Sequence, residues 1–556
     1  MVENDYRDMR FLIIDDFESF QKILKRILHG LNAKHIDTAL NALKAIDACK
    51  TVKYDVLFCD FDLGKGANGL QLFEELRHQE LLGHGTIFIM VTAESSRDAV
   101  LGSLEYKPDA YMNKPISSGE LQSRLIKCLK QKEALRPIYN TLDEGDYKKA
   151  LDQCDDHISK GTRYKNWALK TKCSIFQKLA RWSSAQEIYE SVLAERPLFW
   201  AQLGYAEVLA AQNLDDDAYR AYKQCYEDNP QSLEAYEGAA KMLIKLGDTL
   251  AAQKLLQKTS ALSSRSYERQ KLLAEVCNMN GDYESAVDAY RQVVKVAQNT
   301  FHQSAENELD LADNLAEAAI HSSDKDKNKE FARQAFETLN DTQKQYDDLD
   351  VRLQSKLIES RAHSAVDDNV SADAALREAV NKIDGAENSV HSLRTHLELA
   401  KTYLLRKEKE KAFELLKTLA HQYKDDPAIS AKLDRLVDEP VSQSGKTEVV
   451  KINKEGIKLF DEGNYSEAAQ YFIKATQQFP RHVGIRLNVI QAMLFNMKKL
   501  RPTQQQLDLC HQHLKSLRSL PEDHNQFKRY QSFFKTVDSL QNHINQKQSE
   551  VDSGKS

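Results

Sequence analysis

Three carboxylates, a hydroxyl and an ammonium stand at the ends of short apolar runs in the first part of the sequence. Asp15 and Asp16 follow RFLII (10–14), Asp60 ends DVLFCD (55–60), Thr92 follows TIFIMV (86–91), and Lys114 with Pro115 comes just after DAYM (109–112). Singly, each has an ordinary structural role, since an Asp after a strand often caps the next helix, as does a Thr, and a Lys is usually solvated. Together they imply more. If the runs are strands of one parallel sheet, their carboxyl ends open on one crevice. Three carboxylates crowded there repel one another unless a cation neutralises them. Hard oxygen ligands with access to water suit Mg²⁺. A carboxylate in such a place can act as a nucleophile toward phosphorus, with the cation and an ammonium stabilising the charge spread over the phosphoryl oxygens.

The elements that must position these groups are legible as texture. RFLII, KHIDTA (34–39), DVLFC, TIFIMV and DAYM alternate with helix-length amphipathic segments. Five such runs predict an α/β doubly wound fold, a five-stranded parallel sheet with helices on both faces. Near residue 130 the strand signal stops. The remainder is helical, rich in Ala, Leu, Lys, Glu and Gln.

At 556 residues the chain is too long for a single core. A net charge of −6 gives no global field for nucleic acid or an anionic membrane. The eight cysteines are scattered, without a Cys-x-x-Cys pair or a histidine cluster, and read as buried thiols of a reducing compartment rather than as disulfides or metal ligands. No apolar run approaches the ~18 residues of a membrane span. A soluble, cytoplasmic protein is expected.

The segments IIDD (13–16), LFCDFDL (57–63), MVTAE (90–94) and YMNKP (111–115), in this order and at these spacings, resemble the receiver domain of two-component response regulators over residues 8 to about 130. The resemblance implies a flavodoxin-like receiver with Asp60 as phosphoacceptor, supplied by a histidine kinase or phosphotransfer protein. It implies Mg²⁺ held by Asp16 and Asp60, by the backbone carbonyl of Asp62, and through water by Asp15. It also implies that Lys114 pairs with a phosphoryl oxygen, that Thr92 donates its hydroxyl to it, and that Thr92 and Tyr111 form a switch; an ordinary edge-strand tyrosine is the alternative for Tyr111. Pro115 resembles the family's cis Lys-Pro bond, with a trans turn as the alternative. The chain departs from the family at Gly64, where a proline is usual, and the stretch from Asp60 to Gly69 is one residue longer than usual. The acidic Asp62 and Glu94 flank the site.

The helical region repeats itself. Aligning EGDYKKAL, ARWSSAQ, LDDDAY, LGDTLAAQ and NGDYESAV places alanines at 150, 185, 218, 252 and 286, a spacing of 33–35 residues. EGNYSEAAQYFIKATQQFP (462–480) carries the same offsets of Gly, Tyr, Ala, Phe and Pro. A period near 34 with small and aromatic residues at fixed places resembles the tetratricopeptide repeat, an all-α superhelical solenoid of paired helices. The expected organisation is a receiver at 1–132, repeats at 137–437 that degenerate after about 300, a linker or exposed loop at 438–448, a C-terminal repeat with capping helices at 449–544, and a disordered tail at 545–556. Only Pro137 interrupts the helical pattern joining receiver to repeats, and a proline in the first turn of a new helix predicts a fixed bend there.

No DNA-binding, nucleotide-binding or kinase motif follows the receiver, so output through protein binding on the concave face of the repeats is expected, not an enzyme activity beyond the receiver's own phosphorylation and dephosphorylation. The bound protein would be a sensor kinase, another response regulator or an adaptor. Two other outcomes fit the same sequence: repeats that act as a phosphatase on a second response regulator, and a phosphate sink that competes for a kinase.

Overall fold

The computed structural model describes residues 6–64, 66–93, 108–384, 391–500, 503–518 and 520–553. The chain divides into two compact units. The first joins residues 1–242, 255–272 and 292–304, and the second joins 243–254, 273–291 and 305–556.

The first unit opens on five parallel strands, β1 (Arg10–Ile14), β2 (His35–Ala39), β3 (Val56–Asp60), β4 (Ile87–Thr92) and β5 (Ala110–Asn113), in the order β2-β1-β3-β4-β5. The period-2 alternation of the strands divides their side chains between two cores. Leu12, Ile14, Leu57, Cys59, Phe88 and Met90 meet Ala45 of helix α2 (Ala42–Thr51) and Leu72, Phe73 and Leu76 of helix α3 (Gly69–His78). Phe11, Ile13, Val56, Phe58, Ile87, Ile89 and Val91 meet Leu24 and Leu28 of helix α1 (Glu18–Gly30) and Leu121 and Leu125 of helix α4 (Ser118–Asp143). β3 is buried along its whole length because it is central and covered on both faces, so its last residue, Asp60, is delivered to the sheet edge from inside the core.

Helix α4 overturns the expected break. It runs unbroken for 26 residues with Pro137 inside it. The ring removes one amide donor, but burial on both sides of it holds the helix together. Leu121 and Leu125 lie in the sheet's core, whereas Leu135, Ile138 and Tyr139 pack with Ala150, Cys154 and Ala168 of the following helices. Lys132, between the two, donates to the His84 carbonyl at 2.8 Å and pairs with Asp109 at 3.0 Å. The His84 backbone N–H in turn donates to Asp143 at the far end of α4 at 3.0 Å. The sheet and the first helical hairpin therefore share one element and have no spacer.

Twenty-one further helices follow among the described residues. Their seams are closed by small residues: Ala150, Ala185, Ala218, Ala252, Ala286 and Ala468 are all 0% exposed. A Cβ on Gly204 would lie 2.3 Å from the Tyr189 ring, and one on Gly456 would lie 2.3 Å from Phe472. The aromatic thus sits where the neighbouring helix has no side chain, which is the packing that the repeat pattern encodes. All eight cysteines are buried thiols. No helix among the described residues is long and apolar enough to cross a membrane.

In the second unit the helices lengthen where the period was lost. Ala305–His321 and Leu349–Ala365 have 17 residues each and Lys325–Gln345 has 21. Two further expectations are corrected there. The segment 438–448 is not a loose linker: Val441 and Ser442 are buried, the Asp434 carboxylate accepts both of their backbone N–H groups at 2.8 and 2.9 Å, and Ser442 caps the helix Gln443–Asp461. Its polar composition satisfies a buried acid and a helix start rather than water. The final helix, Phe527–Ser553, takes in residues 545–553 of the expected tail, and residues 554–556 lie outside the described residues.

His513 gives the second unit a pH dependence. It is buried, and Arg486 donates to its Nδ1 at 3.1 Å. The ring is therefore the neutral tautomer with its proton on Nε2, which has no partner among the described residues. Burial first, then the Arg486 charge, hold its pKa down to about 3. The unfolded chain takes up a proton near the ordinary value of about 6.5 that the folded chain refuses, so this stability is full above that value and is lost as pH falls toward the folded pKa, by ~1.4 kcal/mol per pH unit. In urea unfolding followed by far-UV circular dichroism, the expected loss between pH 7.5 and 5.0 is about 2 kcal/mol larger for the parent than for His513→Leu. Equal losses would refute it.

Candidate functional site

The groups picked out at the strand ends meet at the carboxyl edge of the sheet. β1 delivers Asp15 and Asp16, and β3 delivers Asp60. One carboxylate oxygen from each of the three lies within 4.8 Å of the others. Lys114, just past β5, donates to Asp60 Oδ2 at 2.6 Å and to Asp15 Oδ2 at 2.7 Å. Its backbone N–H donates to the Thr92 carbonyl at 2.8 Å, so β4 fixes the start of the turn that aims it, and the Lys114–Pro115 bond is cis. Its ammonium also lies 4.2 Å from the centre of the Phe20 ring.

Asp15 is held on several sides. Its Oδ1 accepts the Phe17 N–H at 2.9 Å, and its carbonyl accepts from Gln21 Nε2 at 2.6 Å. The same amide of Gln21 donates to the Ala39 carbonyl at 2.9 Å, tying the ends of β1 and β2 together. Asp16 contrasts with it, for its Oδ1 is buried and has no hydrogen-bond partner among the described residues. A buried, unpaired acceptor beside two other carboxylates is the donor set that a hard cation satisfies. An acidic pocket formed by Asp15, Asp16 and Asp60 thus fits a divalent ion.

The electrostatics agree. Burial raises the Asp60 carboxyl above its usual range, against the opposing pull of Lys114. Burial and then the Asp15 charge raise Asp16. Burial alone would lower the Lys114 ammonium, but hydrogen bonds to Asp15 and Asp60 outweigh it and the net shift is upward. One lysine does not discharge three acids, and a second positive charge would relieve both raised carboxyls.

Gly64, in the loop after Asp60, borders this pocket. The Asp62 carboxylate accepts the Gly64 N–H at 3.0 Å, and Gly64 adopts a φ of 71°. A Cβ there would sit 3.1 Å from Asp16 Oδ2. At the loop's exit, a Cβ on Gly69 would lie 2.1 Å from the Asp60 carbonyl, so only glycine allows α3 to begin where it does. α3 is closed by a capping box between Asn68 and Gln71.

Of the other expected residues, Thr92 ends β4 one place beyond Val91, the register partner of Asp60. Tyr111 is half-buried on β5 beside the core that contains Met90. Glu94 lies outside the described residues. Sequence reasoning missed Gln21 and Phe20, which sit on α1 rather than at a strand end. The available signal for Gln21 was a lone amide in line with the apolar positions Leu24 and Leu28.

Comparison with known proteins follows the same division of the chain. Residues 11–126 match the family described as Response regulator receiver domain. Residues 132–259 match the Psidin N-terminal TPR repeats region, and residues 234–300 match Tetratricopeptide repeat. Chemotaxis protein CheY-3 of Vibrio cholerae serotype O1 is 27% identical over 125 residues, 22% of this chain and 95% of that protein. Chemotaxis protein CheY of Pseudomonas aeruginosa is 28% identical over 123 residues, 22% of this chain and 98% of that protein. Among solved structures, a CheY-like response regulator receiver domain protein from Methanospirillum hungatei JF-1 is 25% identical and covers 23% of this chain and 97% of its own, with a TM-score of 0.21. The chain carries a receiver domain at residues 11–126 and tetratricopeptide repeats over 132–300.

Proposed function

Because the chain joins a receiver domain to tetratricopeptide repeats, we propose that it is a cytoplasmic two-component response regulator that accepts a phosphoryl group on Asp60 and answers through protein binding by its repeats. The observation that carries this reading is the set of Lys114 contacts to Asp60 and Asp15 beside the unpaired buried oxygen of Asp16. Asp15, Asp16, Asp60 and the Asp62 carbonyl would hold Mg²⁺, which when bound supplies positive charge to the phosphoryl oxygens.

The chain's own residues do the rest. The histidine of a kinase or phosphotransfer protein presents its phosphoryl group, and an Asp60 carboxylate oxygen attacks phosphorus. The new P–O bond forms as the P–N bond breaks, and the departing imidazole keeps the electron pair. Lys114, already directed at Asp60, moves onto a phosphoryl oxygen, and the Thr92 hydroxyl donates to another. Tyr111, on the neighbouring strand, follows Thr92. The receiver acts on no substrate but its own phosphoryl group.

The repeats answer because α4 is common to both domains. The test is titration of a partner, recovered on the immobilised full-length chain, against the chain with and without beryllofluoride and Mg²⁺, with Asp60→Asn as control. The expected change in affinity is roughly 5- to 150-fold, absent in the control. Equal affinities in all three states would mean that receiver and repeats work independently, leaving a phosphate sink.

A further inference from the structure

Within the first unit, two segments of the repeats grip the receiver beside its phosphoacceptor. Arg265 lies 4.6 Å from the centre of the ring of Phe61, the residue next to Asp60. The stretch from Val296 to His302 lies along α3. The Phe301 N–H donates to Glu75 at 3.0 Å, the Phe301 ring stacks on His78 at 4.0 Å, and His302 pairs with Glu74 at 3.5 Å while stacking on Tyr267 at 4.1 Å. Gln71 joins this grip to the site. Its Oε1 accepts the Asn68 N–H at 2.9 Å, closing the loop that follows Asp60, and its Nε2 donates to the Val296 carbonyl at 2.9 Å.

The loop is therefore fastened at both ends by residues of the repeats, Arg265 at Phe61 and Val296 at Gln71. Between those points Gly64 borders the pocket, close against the Asp16 carboxylate. A tetrahedral phosphoryl group on Asp60 adds three oxygens to the pocket that Gly64 borders. We propose that Arg265 and the Val296–His302 segment form an internal clamp that holds the phosphoacceptor loop closed, so that the repeats oppose phosphoryl binding and a bound phosphoryl group loosens the repeats' hold on α3. This rests on Asp60 being the phosphoacceptor and goes beyond it, because it places the coupling on α3 and the loop rather than on α4 alone. Linkage makes the effect reciprocal: whatever the clamp takes from phosphoryl affinity, the phosphoryl group takes from the clamp.

Both halves are measurable on the full chain. Calorimetric titration of beryllofluoride in excess Mg²⁺ compares the parent with Arg265→Ala and Phe301→Ala, both outside the set formed by Asp15, Asp16, Asp60 and Lys114. Both variants are expected to keep the parent's far-UV circular dichroism and to bind the mimic more tightly, by roughly 5- to 150-fold. In the parent, the amides of residues 296–302 are expected to exchange with solvent faster once beryllofluoride is bound, and in Asp60→Asn they should not respond. If the parent binds the mimic but both variants bind it equally well and the exchange of 296–302 is unchanged, the clamp is wrong and the phosphoacceptor reading stands. If the parent binds no beryllofluoride, the phosphoacceptor reading fails and the clamp falls with it.

Discussion

Incubation with a small phosphodonor and Mg²⁺ is expected to label the full-length chain at one site, and replacing Asp60 by Asn is expected to remove the label. The expected loss is complete on the scale of the assay, because an amide is a poor nucleophile toward phosphorus and no other carboxylate among the described residues is placed as Asp60 is. Asp15, its neighbour, already gives Oδ1 to the Phe17 N–H and Oδ2 to Lys114. Asp60 has Lys114 on Oδ2 at 2.6 Å, which favours its anionic form and offsets part of the cost of burial. Mass spectrometry of the labelled chain after borohydride reduction locates the modified residue. Stoichiometric label on Asp60→Asn would overturn the assignment.

Two companion variants separate the roles within the same assay. Asp16→Asn deletes a charged oxygen from the acidic pocket, so labelling should need far more Mg²⁺ while remaining at Asp60. Lys114→Met removes the only cation in contact with Asp60 among the described residues, and should slow labelling at any Mg²⁺ concentration by about 10²-fold or more, the usual scale for losing one preorganised electrostatic contact. An unchanged Mg²⁺ dependence in Asp16→Asn would show that the cation sits elsewhere.

The residues of this site were legible because of where they stand. A polar group directly after a buried strand has few places to go, and four strand ends of one parallel sheet share one edge, so Asp15, Asp16, Asp60 and Lys114 could be brought together from spacing alone. Gln21 and Phe20 escaped because a helix face mixes core and surface, and nothing local marks an amide that is turned inward to two carbonyls. The Lys114–Pro115 bond was open in the sequence because cis and trans forms differ by only about 0.5–1 kcal/mol before tertiary contacts act. Pro137 misled for the opposite reason. The local rule for proline favoured a helix start, but Leu121 and Leu125 on one side and Leu135 and Ile138 on the other bury the same helix in two cores, which outweighs one missing hydrogen bond.

The repeats faded from view after about residue 300, and the structure gives a physical reason that also yields the largest expected effect on stability. Charged residues there take over part of the helix-to-helix contact. Arg361, in Leu349–Ala365, is 1% exposed and reaches Asp313 at 2.5 Å and Glu317 at 3.4 Å on Ala305–His321, and Glu398 on Leu393–Leu405. Lys401 closes the cluster through Asp313 at 3.1 Å and Glu398 at 2.8 Å. Burial would lower the Arg361 guanidinium, but the three acids outweigh it and hold the group charged. Buried alanines remain there, Ala312, Ala316 and Ala362 among them, but the longer helices carry them off the regular spacing by which the repeat is recognised.

Removing the guanidinium leaves Asp313 and Glu398 to share the Lys401 ammonium and Glu317 to the His321 ring, and breaking a buried pair by deleting one partner typically costs ~3–5 kcal/mol. Arg361→Met is therefore expected to lower the opening free energy of the Leu349–Ala365 amides by about that amount in native-state hydrogen exchange, a large part of a typical domain's stability. Arg361→Lys should recover little, because one ammonium cannot span acids on two neighbouring helices as a planar fork does. Adding Asp313→Asn and Glu398→Gln to Arg361→Met should restore much of the loss, since the cost lies in the stranded charges rather than in the missing contact. A loss below about 1 kcal/mol in Arg361→Met, the scale of an exposed ion pair, would mean that the acids are hydrated and that the seam is held by its apolar residues alone.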